Sequence, residues 1–434
     1  MIKTLHITNS YHPTSGGIRT FYTALLEAAN AHRRYVRLVV PGEATTVQEI
    51  GAFGRIYTIA APRSPVLDSR YHMLLPPEYV WPGETTLRKI IAEERPELLE
   101  VCDKFWLAYL PGVLRRQWLG ELPVPAMVGL TCERLDDMAA FHLSGGGLAR
   151  SLCGFYMKKL YVPRFDFHIA VSDYTAAEVR RALPARMQNR LYVEPMGVDY
   201  DRFSSTQDPL QTRAELLRQT GGTSSTVLLL YAGRLGQEKN LLLLPPTLQR
   251  LHVLGRLDFR LIVAGAGPLL SELRCALEDH APGRALFLGQ CNADRLCGLY
   301  GAADVFVHPN AHEPFGIAPL EAMSAGLPLV APASGGLLTY ANRQNAWLAE
   351  PTPEAFAAAI QNAVSDEVAR RQKTARARAT AQAFSWRRVT ERYFRLYDLL
   401  HARFQDEGIG KWHLRWKKGL QQEVGADTRD FAAA

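Results

Sequence analysis

The stretch from Val305 to Pro332 reads VFVHPNAHEPFGIAPLEAMSAGLPLVAP. Val305–His308 is a short apolar run and predicts a buried strand that ends at the following proline. Ile317–Ala325 suits a helix, and Gly326 stands where such a helix would end. Leu327–Ala331 predicts the next strand. The stretch is therefore a strand, a loop, a helix and a strand, a pattern typical of α/β proteins.

The loop of this unit carries the residues of a candidate ligand site. In an open parallel sheet, ligands bind at the carboxyl ends of the strands, where this loop falls. Gly316 lets the backbone approach a ligand, and the unpaired N–H groups of the following helix favour a phosphate. A phosphate would repel Glu313, so we expect this carboxylate to accept hydrogen bonds from hydroxyls. Glu321, about two helical turns further on, can accept from a second set, which indicates a nucleotide-linked sugar.

Glu313, seven intervening residues and Glu321 resemble the E-x7-E motif of retaining glycosyltransferases with the GT-B fold, especially family 4. The flanking residues agree: a His-Pro pair follows the strand, Phe315-Gly316 follows the first glutamate, and LEAMSAGLP runs through the helix. The resemblance implies that Glu313 binds the hydroxyls of the donor sugar and Glu321 the ribose hydroxyls of the nucleotide. It also implies donor contacts by Phe315, Gly316 and Ile317.

The resemblance further implies the architecture of the whole chain. It predicts an α/β protein of the GT-B fold, in which two Rossmann-like β/α/β domains face each other across a cleft and a C-terminal helix crosses back to the N-terminal domain. On this basis we divide the chain into an acceptor-binding domain, a nucleotide-sugar-binding domain, a returning helix and a basic, aromatic tail, at residues 1–196, 197–384, 385–400 and 401–434.

A basic loop opens the second domain. Thr226–Ala232 predicts a strand that runs into GRLGQEKN, where Gly233, Arg234 and Lys239 follow one another before the next helix. Two cations beside the carboxyl edge of a sheet suit a pyrophosphate and would stabilise the charge that grows on it as the sugar departs. The loop resembles the G-R-x-x-x-x-K-N segment of the family. We therefore expect Arg234 and Lys239, together with Glu313, to be catalytic.

Two further turns in this domain follow predicted strands. The resemblance places the nucleobase near Gln290 and Cys291, which come after the strand Ala285–Gly289. Gly265 and Gly267 suggest a dinucleotide site, but no third glycine follows at the spacing that such a site requires.

The first half of the chain alternates strands and helices, which predicts a Rossmann-like domain. After the first predicted strand, Lys3–Asn9, the pair Gly16-Gly17 precedes a helix with apolar residues at helical spacing. Glycines there permit a close approach, and the helix behind them offers free N–H donors. In the family this loop lies over the donor pyrophosphate and sugar from the opposite domain. Residues 62–83 are rich in proline and aromatics and predict either a functional loop or a packed surface excursion.

The first domain also departs from the family pattern. After the strand Val124–Leu130, many members carry a His-Asp pair that lines the site, whereas this chain has Thr-Cys-Glu-Arg. Glu133 is a candidate contact to sugar or acceptor in place of that histidine. Asp136 belongs to a pair of aspartates that suits an acceptor loop better than a metal motif. His142 is a further acceptor-side candidate, although a lone histidine is more often structural.

The composition sets limits on partners and compartment. The chain has 434 residues, of which 47% are hydrophobic and 21% charged, and a net charge of +7, which is too small for a nucleic-acid footprint. Six cysteines without a CxxC pair indicate reduced thiols rather than a metal site or a disulfide framework. We find no targeting signal and no run of apolar residues long enough for a membrane span, and so predict a cytoplasmic protein. Basic and aromatic residues near Trp412 and Trp416 suggest peripheral contact with an anionic membrane, with packing on the domain itself as the alternative.

The sequence therefore predicts a retaining hexosyltransferase that moves a sugar from a nucleotide-diphosphate sugar to a hydroxyl of a carbohydrate, lipid-linked or small-molecule acceptor. We expect no cofactor and no metal, because the two cations and a helix end hold the diphosphate. Two alternatives remain open at this point. The chain is an inactive partner subunit that binds the nucleotide sugar, or it is an epimerase or hydrolase on the same fold.

Overall fold

The structure is a computed structural model that describes residues 2–12, 16–64, 71–81, 84–116, 124–142, 146–205, 209–255 and 257–407. Fourteen strands are found in these ranges: β1 Lys3–Thr8, β2 Tyr35–Gly42, β3 Thr46–Ile50, β4 Gly54–Ala60, β5 Leu98–Cys102, β6 Ala126–Thr131, β7 Phe167–Ala170, β8 Leu191–Val193, β9 Val227–Ala232, β10 Phe259–Ala264, β11 Ala285–Gly289, β12 Val305–Val307, β13 Leu329–Pro332 and β14 Trp347–Ala349. The described residues form sixteen α-helices: α1 Gly17–His32, α2 Pro77–Val80, α3 Thr86–Glu94, α4 Leu110–Arg115, α5 Leu135–His142, α6 Gly146–Tyr156, α7 Asp173–Ala182, α8 Tyr200–Ser204, α9 Pro209–Thr220, α10 Leu244–Leu254, α11 Leu270–His280, α12 Ala293–Ala302, α13 Ile317–Ala325, α14 Pro353–Ser365, α15 Glu367–Ala383 and α16 Trp386–Glu407.

The strands form two sheets, one in each predicted domain. The first has the order β3-β4-β2-β1-β5-β6-β7-β8 and is parallel except where β3 pairs antiparallel with β4. The second has the order β11-β10-β9-β12-β13-β14 and is parallel throughout. In each sheet the order reverses beside the domain's first strand, between β1 and β5 and between β9 and β12. Ligands of doubly wound sheets bind at such a reversal, at the carboxyl ends of the strands.

Buried apolar runs explain why these segments are central strands. Every residue of β9 is buried, as is every residue of β6, because helices cover both faces of a parallel sheet and leave no solvent-facing side. The helix α13 is likewise buried over most of its length and ends at Gly326, whose φ of 75° is left-handed. The predicted strand, loop, helix and strand around Glu313 are therefore confirmed, with bounds that shift by one or two residues.

The helix α16 connects the two domains. It starts beside the second domain, where Trp386 donates its backbone N–H to Val198 O at 3.0 Å. It then packs on the first domain, where Tyr397 OH donates to the buried Glu100 Oε2 at 2.8 Å and Arg392 Nε donates to Glu194 Oε1 at 2.7 Å. The crossing of a terminal helix back to the first domain, implied by the family resemblance, is confirmed. The exact domain boundaries stay predictions.

Three segments differ from the sequence-based expectations. The strand β3 was not predicted, because its residues are mostly exposed and give no buried apolar run. The helix α9 was likewise not predicted, because a single residue of it, Leu216, is buried. Within residues 62–83, the structure describes an isolated bridge between Arg63 and His72 and the short helix α2. Residues 65–70, 82–83 and the tail from 408 onward, with its expected membrane contact, lie outside the described residues.

No helix among the described residues is both long enough and apolar enough to span a membrane.

Candidate active site

Two loops meet at the point where the order of the second sheet reverses. One follows β9 and carries Lys239, and the other follows β12 and carries Glu313. Lys239 Nζ donates to Glu313 Oε2 at 2.8 Å, and Asn310 Nδ2 donates to the same oxygen at 2.9 Å. Two of the residues predicted to be catalytic are thus in direct contact, although 74 positions separate them in the chain. Asn310 is buried and was not predicted, since nothing but its place after a strand marks it.

The surroundings of Glu313 keep its carboxyl group ionised. Burial by itself raises the pKa of this group, but the positive charge of Lys239 and the contact with His308 outweigh burial and hold the pKa well below its usual range. His308 Nε2 lies 3.2 Å from Glu313 Oε2. A buried carboxylate that stays charged accepts hydrogen bonds and donates none, which suits it to bind sugar hydroxyls.

The N-terminus of α13 lies directly after Glu313. Gly316 precedes the helix with a φ of +87°, and a Cβ on it would lie 2.9 Å from Tyr340 OH and 3.1 Å from Glu313 Cγ. The backbone N–H groups that open the helix have no partner within it and carry the positive end of its dipole. The side chain of Phe315 is buried against Tyr340 and Phe384, with ring centroids 5.2 Å and 6.3 Å away. The structure therefore leaves the backbone of Phe315, rather than its ring, to contact a donor.

The basic loop after β9 is held close to its neighbour. Gly233 has a φ of +152°, and a Cβ on Gly265 would lie 1.9 Å from Gly233 O. The glycines after β10 therefore permit two loops to pack together, which explains them without a dinucleotide site. Arg234 is half exposed and its Nε lies 3.8 Å from Glu238 Oε1, which is too long for a hydrogen bond. Its guanidinium group remains accessible to an anion in the cleft.

Glu321 lies in the second turn of α13. Tyr300, which is fully buried, donates its hydroxyl to Glu321 Oε2 at 2.8 Å. Burial raises the pKa of Glu321 to about 7, and the charge of Asp199 adds to this, while Tyr300 and Arg202 act in the opposite direction. The two glutamates of one motif thus have opposite pKa shifts, because Lys239 and His308 outweigh burial at Glu313, whereas Tyr300 and Arg202 do not outweigh it at Glu321.

The glycine loop of the first domain reaches the second. Gly16 precedes α1 and Gly17 begins it. A Cβ on Gly17 would lie 3.2 Å from Ile317 Cδ1 and 3.9 Å from Met196 Sδ. Two segments predicted to bind the donor therefore face each other across the cleft, and a larger residue at position 17 would push them apart.

Two first-domain side chains hold the residues on either side of Glu313. Ser172 Oγ donates to Pro314 O at 2.6 Å, and Tyr174 OH lies 3.0 Å from His312 Nδ1. Ser172 also caps α7, because its Oγ accepts a hydrogen bond from Thr175 N at 3.1 Å. Its contact with Pro314 was not foreseen. The position of Glu313 therefore depends on how the two domains approach each other.

This contact gives a first prediction. Tyr174→Phe removes the hydroxyl that donates to Asp137 Oδ2 at 2.5 Å and meets His312, and we expect kcat to fall by about tenfold because the loop of Glu313 is less well positioned. Affinity for the free nucleotide should not change, since the phenol contacts Asp137 and His312 and not Glu321, the glutamate predicted to bind the ribose. The measurement is steady-state kinetics together with calorimetry. Tyr57→Phe is the matched control, because Tyr57 OH donates to a carboxylate within the first domain, and equal losses in both variants would contradict the prediction.

On the acceptor side, Glu133 follows β6 at the carboxyl edge of the first sheet. Lys104 Nζ donates to Glu133 O at 2.5 Å and to Glu178 Oε2 at 2.5 Å, which anchors this loop from below. Burial raises the pKa of the Glu133 carboxyl, and the charge of Lys104 lowers it in part. The carboxyl of Glu133 therefore lies in a partly buried place next to the cleft, consistent with its predicted contact to the acceptor.

Asp136 has a different setting from the one expected. Arg134 donates to both of its oxygens, at 2.8 Å and 2.6 Å, and Arg181 donates at 2.7 Å. Burial raises the pKa of Asp136, but the two arginines outweigh it and hold the pKa well below its usual range. The structure thus gives Asp136 intramolecular partners at the start of α5, and its contact with an acceptor stays a prediction. His142 is the last residue of α5, and its side chain lies outside the described part of the chain.

Gln290 and Cys291 follow the edge strand β11. Gln290 is exposed and Cys291 half-buried, and burial raises the pKa of the Cys291 thiol. Because the sheet is parallel, both residues lie at the same carboxyl edge as the loop of Glu313. Their contact with a nucleobase stays a prediction.

Comparison with known proteins agrees with this geometry. Residues 213–382 match the family model described as "Glycosyl transferases group 1". The chain is 30% identical over 391 residues to a GDP-mannose-dependent alpha-(1-6)-phosphatidylinositol dimannoside mannosyltransferase of Mycobacterium tuberculosis, covering 89% of this chain and 94% of that protein. It is 24% identical over 339 residues to a GDP-mannose-dependent alpha-mannosyltransferase of Corynebacterium glutamicum, covering 77% and 73% of the two chains.

Solved structures show the same architecture. A sucrose-phosphate synthase of Thermosynechococcus elongatus superposes with a TM-score of 0.73 at 21% identity, over 93% of this chain and all of that one. Because the sequence identity is only 21%, the superposition is evidence for the fold alone. The sequence relatives are glycosyltransferases, and the loops around Lys239 and Glu313 lie at the reversal of strand order where doubly wound sheets bind ligands. The chain therefore belongs to the glycosyl transferases group 1 family and is a glycosyltransferase of the GT-B fold that uses a nucleotide sugar.

Proposed function

We propose that this protein transfers a mannosyl residue from GDP-mannose, with retention of configuration and without a metal, to a hydroxyl of a lipid-linked sugar at a membrane surface. The observation that carries the transferase chemistry is the contact of Lys239 with Glu313 beside the N-terminus of α13. The donor and the acceptor class are supported by relatives whose names specify GDP-mannose, one of them also phosphatidylinositol dimannoside.

The diphosphate of the donor binds between the basic loop and the helix. Lys239 has three N–H donors and uses one for Glu313, so the other two are available for phosphate oxygens. Arg234 supplies a second cation, and the backbone N–H groups after Gly316 supply dipolar donors. These groups stabilise the negative charge that develops on the leaving diphosphate. The proposal includes neither a metal nor a cofactor, because this chain's own cations fill that role.

The carboxylates position the two sugars of the donor. Glu313 accepts from the hydroxyls of the mannose and Glu321 from those of the ribose. The bond from C1 to the phosphate oxygen breaks, and the bond from C1 to the acceptor oxygen forms on the same face of the ring. Because the new bond forms on the face that the phosphate leaves, configuration is retained and no protein nucleophile is needed. The acceptor proton passes to the departing phosphate oxygen.

A transfer assay tests the proposal. The full-length protein is incubated with GDP-mannose, UDP-glucose or ADP-glucose and a lipid-linked mannoside, with and without a chelator. We expect transfer from GDP-mannose alone, an α-linked product by NMR, and an unchanged rate with chelator. Loss of activity on chelation would contradict the metal-free mechanism. Binding of GDP without any transfer would favour the inactive-subunit alternative, in which the replaced His-Asp pair is the missing element.

A pH dependence of donor binding follows from Glu321. Its pKa of about 7 in the free protein means that the carboxyl becomes protonated as the pH falls through 7, and the protonated group loses acceptor capacity. We expect the Kd for GDP-mannose to rise about tenfold between pH 8 and pH 6, since one pH unit below the pKa leaves roughly a tenth of the groups ionised. Calorimetry measures this directly. Glu321→Gln should bind weakly with a flat profile, and an unchanged slope in that variant would assign the effect to another group.

A further inference from the structure

We propose that the outer face of α6 and the π-helical turn Met157–Tyr161 docks the protein on an anionic membrane, an inference that deepens the proposed lipid-linked acceptor. We call this face the α6 surface and define it by Arg150, Leu152, Phe155, Lys158, Lys159 and Leu160, all of them exposed. It is distinct from the basic tail, which suggested membrane contact from the sequence alone.

Large apolar side chains point outward here. Leu152 and Phe155 are 59% and 60% exposed, one helical turn apart, and Leu160 is 38% exposed. The inner face of the same segment packs inside the protein, since Met157 and Tyr161 are buried in the core of the first domain. Single exposed apolar residues are ordinary, but three exposed on one short helical segment favour an interaction surface.

The positive charge of the α6 surface indicates which kind of partner it binds. Arg150, Lys158 and Lys159 lie among the apolar side chains, and the sequence contains no Asp or Glu between Asp137 and Asp166. Apolar side chains flanked by lysine and arginine on a helix are the pattern of segments that lie in the interface of an anionic bilayer. A protein partner would be expected to meet a more mixed set of charges. The chemistry therefore favours lipid headgroups carrying negative charge.

The α6 surface lies next to the acceptor side of the cleft. Cys153 Sγ is 3.8 Å from Leu135 O, and Tyr156 OH donates to Lys104 O. Lys104 in turn holds the backbone of Glu133. An acceptor whose headgroup reaches Glu133 can therefore leave its lipid chains in a membrane on which the α6 surface rests. Phe105, the residue after Lys104, is also apolar and is 36% exposed.

The test is co-sedimentation of the full-length protein with vesicles, in the absence of donor and acceptor. We expect binding to vesicles of phosphatidylcholine with 30% phosphatidylglycerol (roughly the anionic content needed for an attractive surface potential), little binding to phosphatidylcholine alone, and release by salt. Leu152→Ser/Phe155→Ser should weaken binding at least about tenfold, and Lys158→Gln/Lys159→Gln should weaken it about fivefold or more per lysine. The matched control is Leu210→Ser/Leu338→Ser, which replaces exposed leucines of the second domain.

Folding of each variant is checked by its thermal midpoint. Binding that is equal in the α6 variants and the control overturns the proposal, as does binding that disappears only in Trp412→Ser/Trp416→Ser, since the tail would then be the membrane contact. A patch that mediates self-association instead would appear as a change in oligomeric state without vesicle binding, and this also overturns it.

A water-soluble mannoside acceptor separates this proposal from the proposed function. The α6 variants should transfer mannose to the soluble acceptor at the unaltered rate and lose transfer to the lipid-linked acceptor in vesicles. Vesicle binding without any mannosyl transfer would contradict the function and leave the α6 surface supported. Transfer to the soluble acceptor without vesicle binding would support the function and contradict the role of the α6 surface.

Discussion

Replacing Lys239 by alanine is expected to lower kcat by about 10³-fold, because it removes a preorganised donor from the charge that develops on the leaving diphosphate. The same change takes away the cation that contacts Glu313 at 2.8 Å, so the pKa of that buried carboxyl should rise. The loss of the donor and the higher pKa of Glu313 are both expected to lower kcat. The measurement is the initial rate of transfer at saturating GDP-mannose, with the thermal midpoint as a check on the fold.

Lys89→Ala is the matched control for this variant. Lys89 Nζ pairs with Glu84 at 3.2 Å on the exposed surface of the first domain, so its loss should leave kcat unchanged. Full activity in Lys239→Ala would remove the basis for the assigned diphosphate site. Equal losses in the two lysine variants would point instead to a general effect of charge.

Replacing Glu313 by glutamine is expected to lower kcat/KM by about 10²-fold or more, because the amide keeps the shape of the side chain but replaces one acceptor oxygen by a donor. A sugar hydroxyl that donates to Glu313 then meets an N–H donor, so that hydrogen bond cannot form. Lys239 also loses its anionic partner. Affinity for GDP should be almost unaltered, since GDP lacks the sugar that Glu313 is proposed to bind.

The second glutamate of the motif provides the comparison for this variant. Glu321→Gln should weaken GDP and GDP-mannose to the same extent, because both ligands carry the ribose. Calorimetry with each ligand on each variant gives four values that separate the two roles. If Glu313→Gln weakened GDP as strongly as Glu321→Gln does, the division between sugar and ribose would be wrong.

Much of the site could be predicted because its information is local in the sequence. The strand β12, the glycine before α13 and the spacing of Glu313 and Glu321 lie within one continuous unit, and each of these features depends on neighbouring residues. The alternation of buried strands with helices likewise fixes a parallel sheet, whose carboxyl edge is the place for such a loop. The same local reasoning missed β3, because an exposed strand has no buried apolar run.

Contacts between distant segments were decided by the tertiary structure. The sequence by itself determined which loops carry the cations and carboxylates, since each loop follows directly from its own strand. Only the tertiary structure placed Tyr300 against Glu321 and turned the ring of Phe315 into the core of the second domain, and only the approach of the two domains held Pro314 by Ser172. These contacts depend on how helices and domains pack across long separations in the chain, and on desolvation, which sets the pKa of Glu321. Neither the packing of distant segments nor the desolvation of a side chain is encoded in the spacing of a motif.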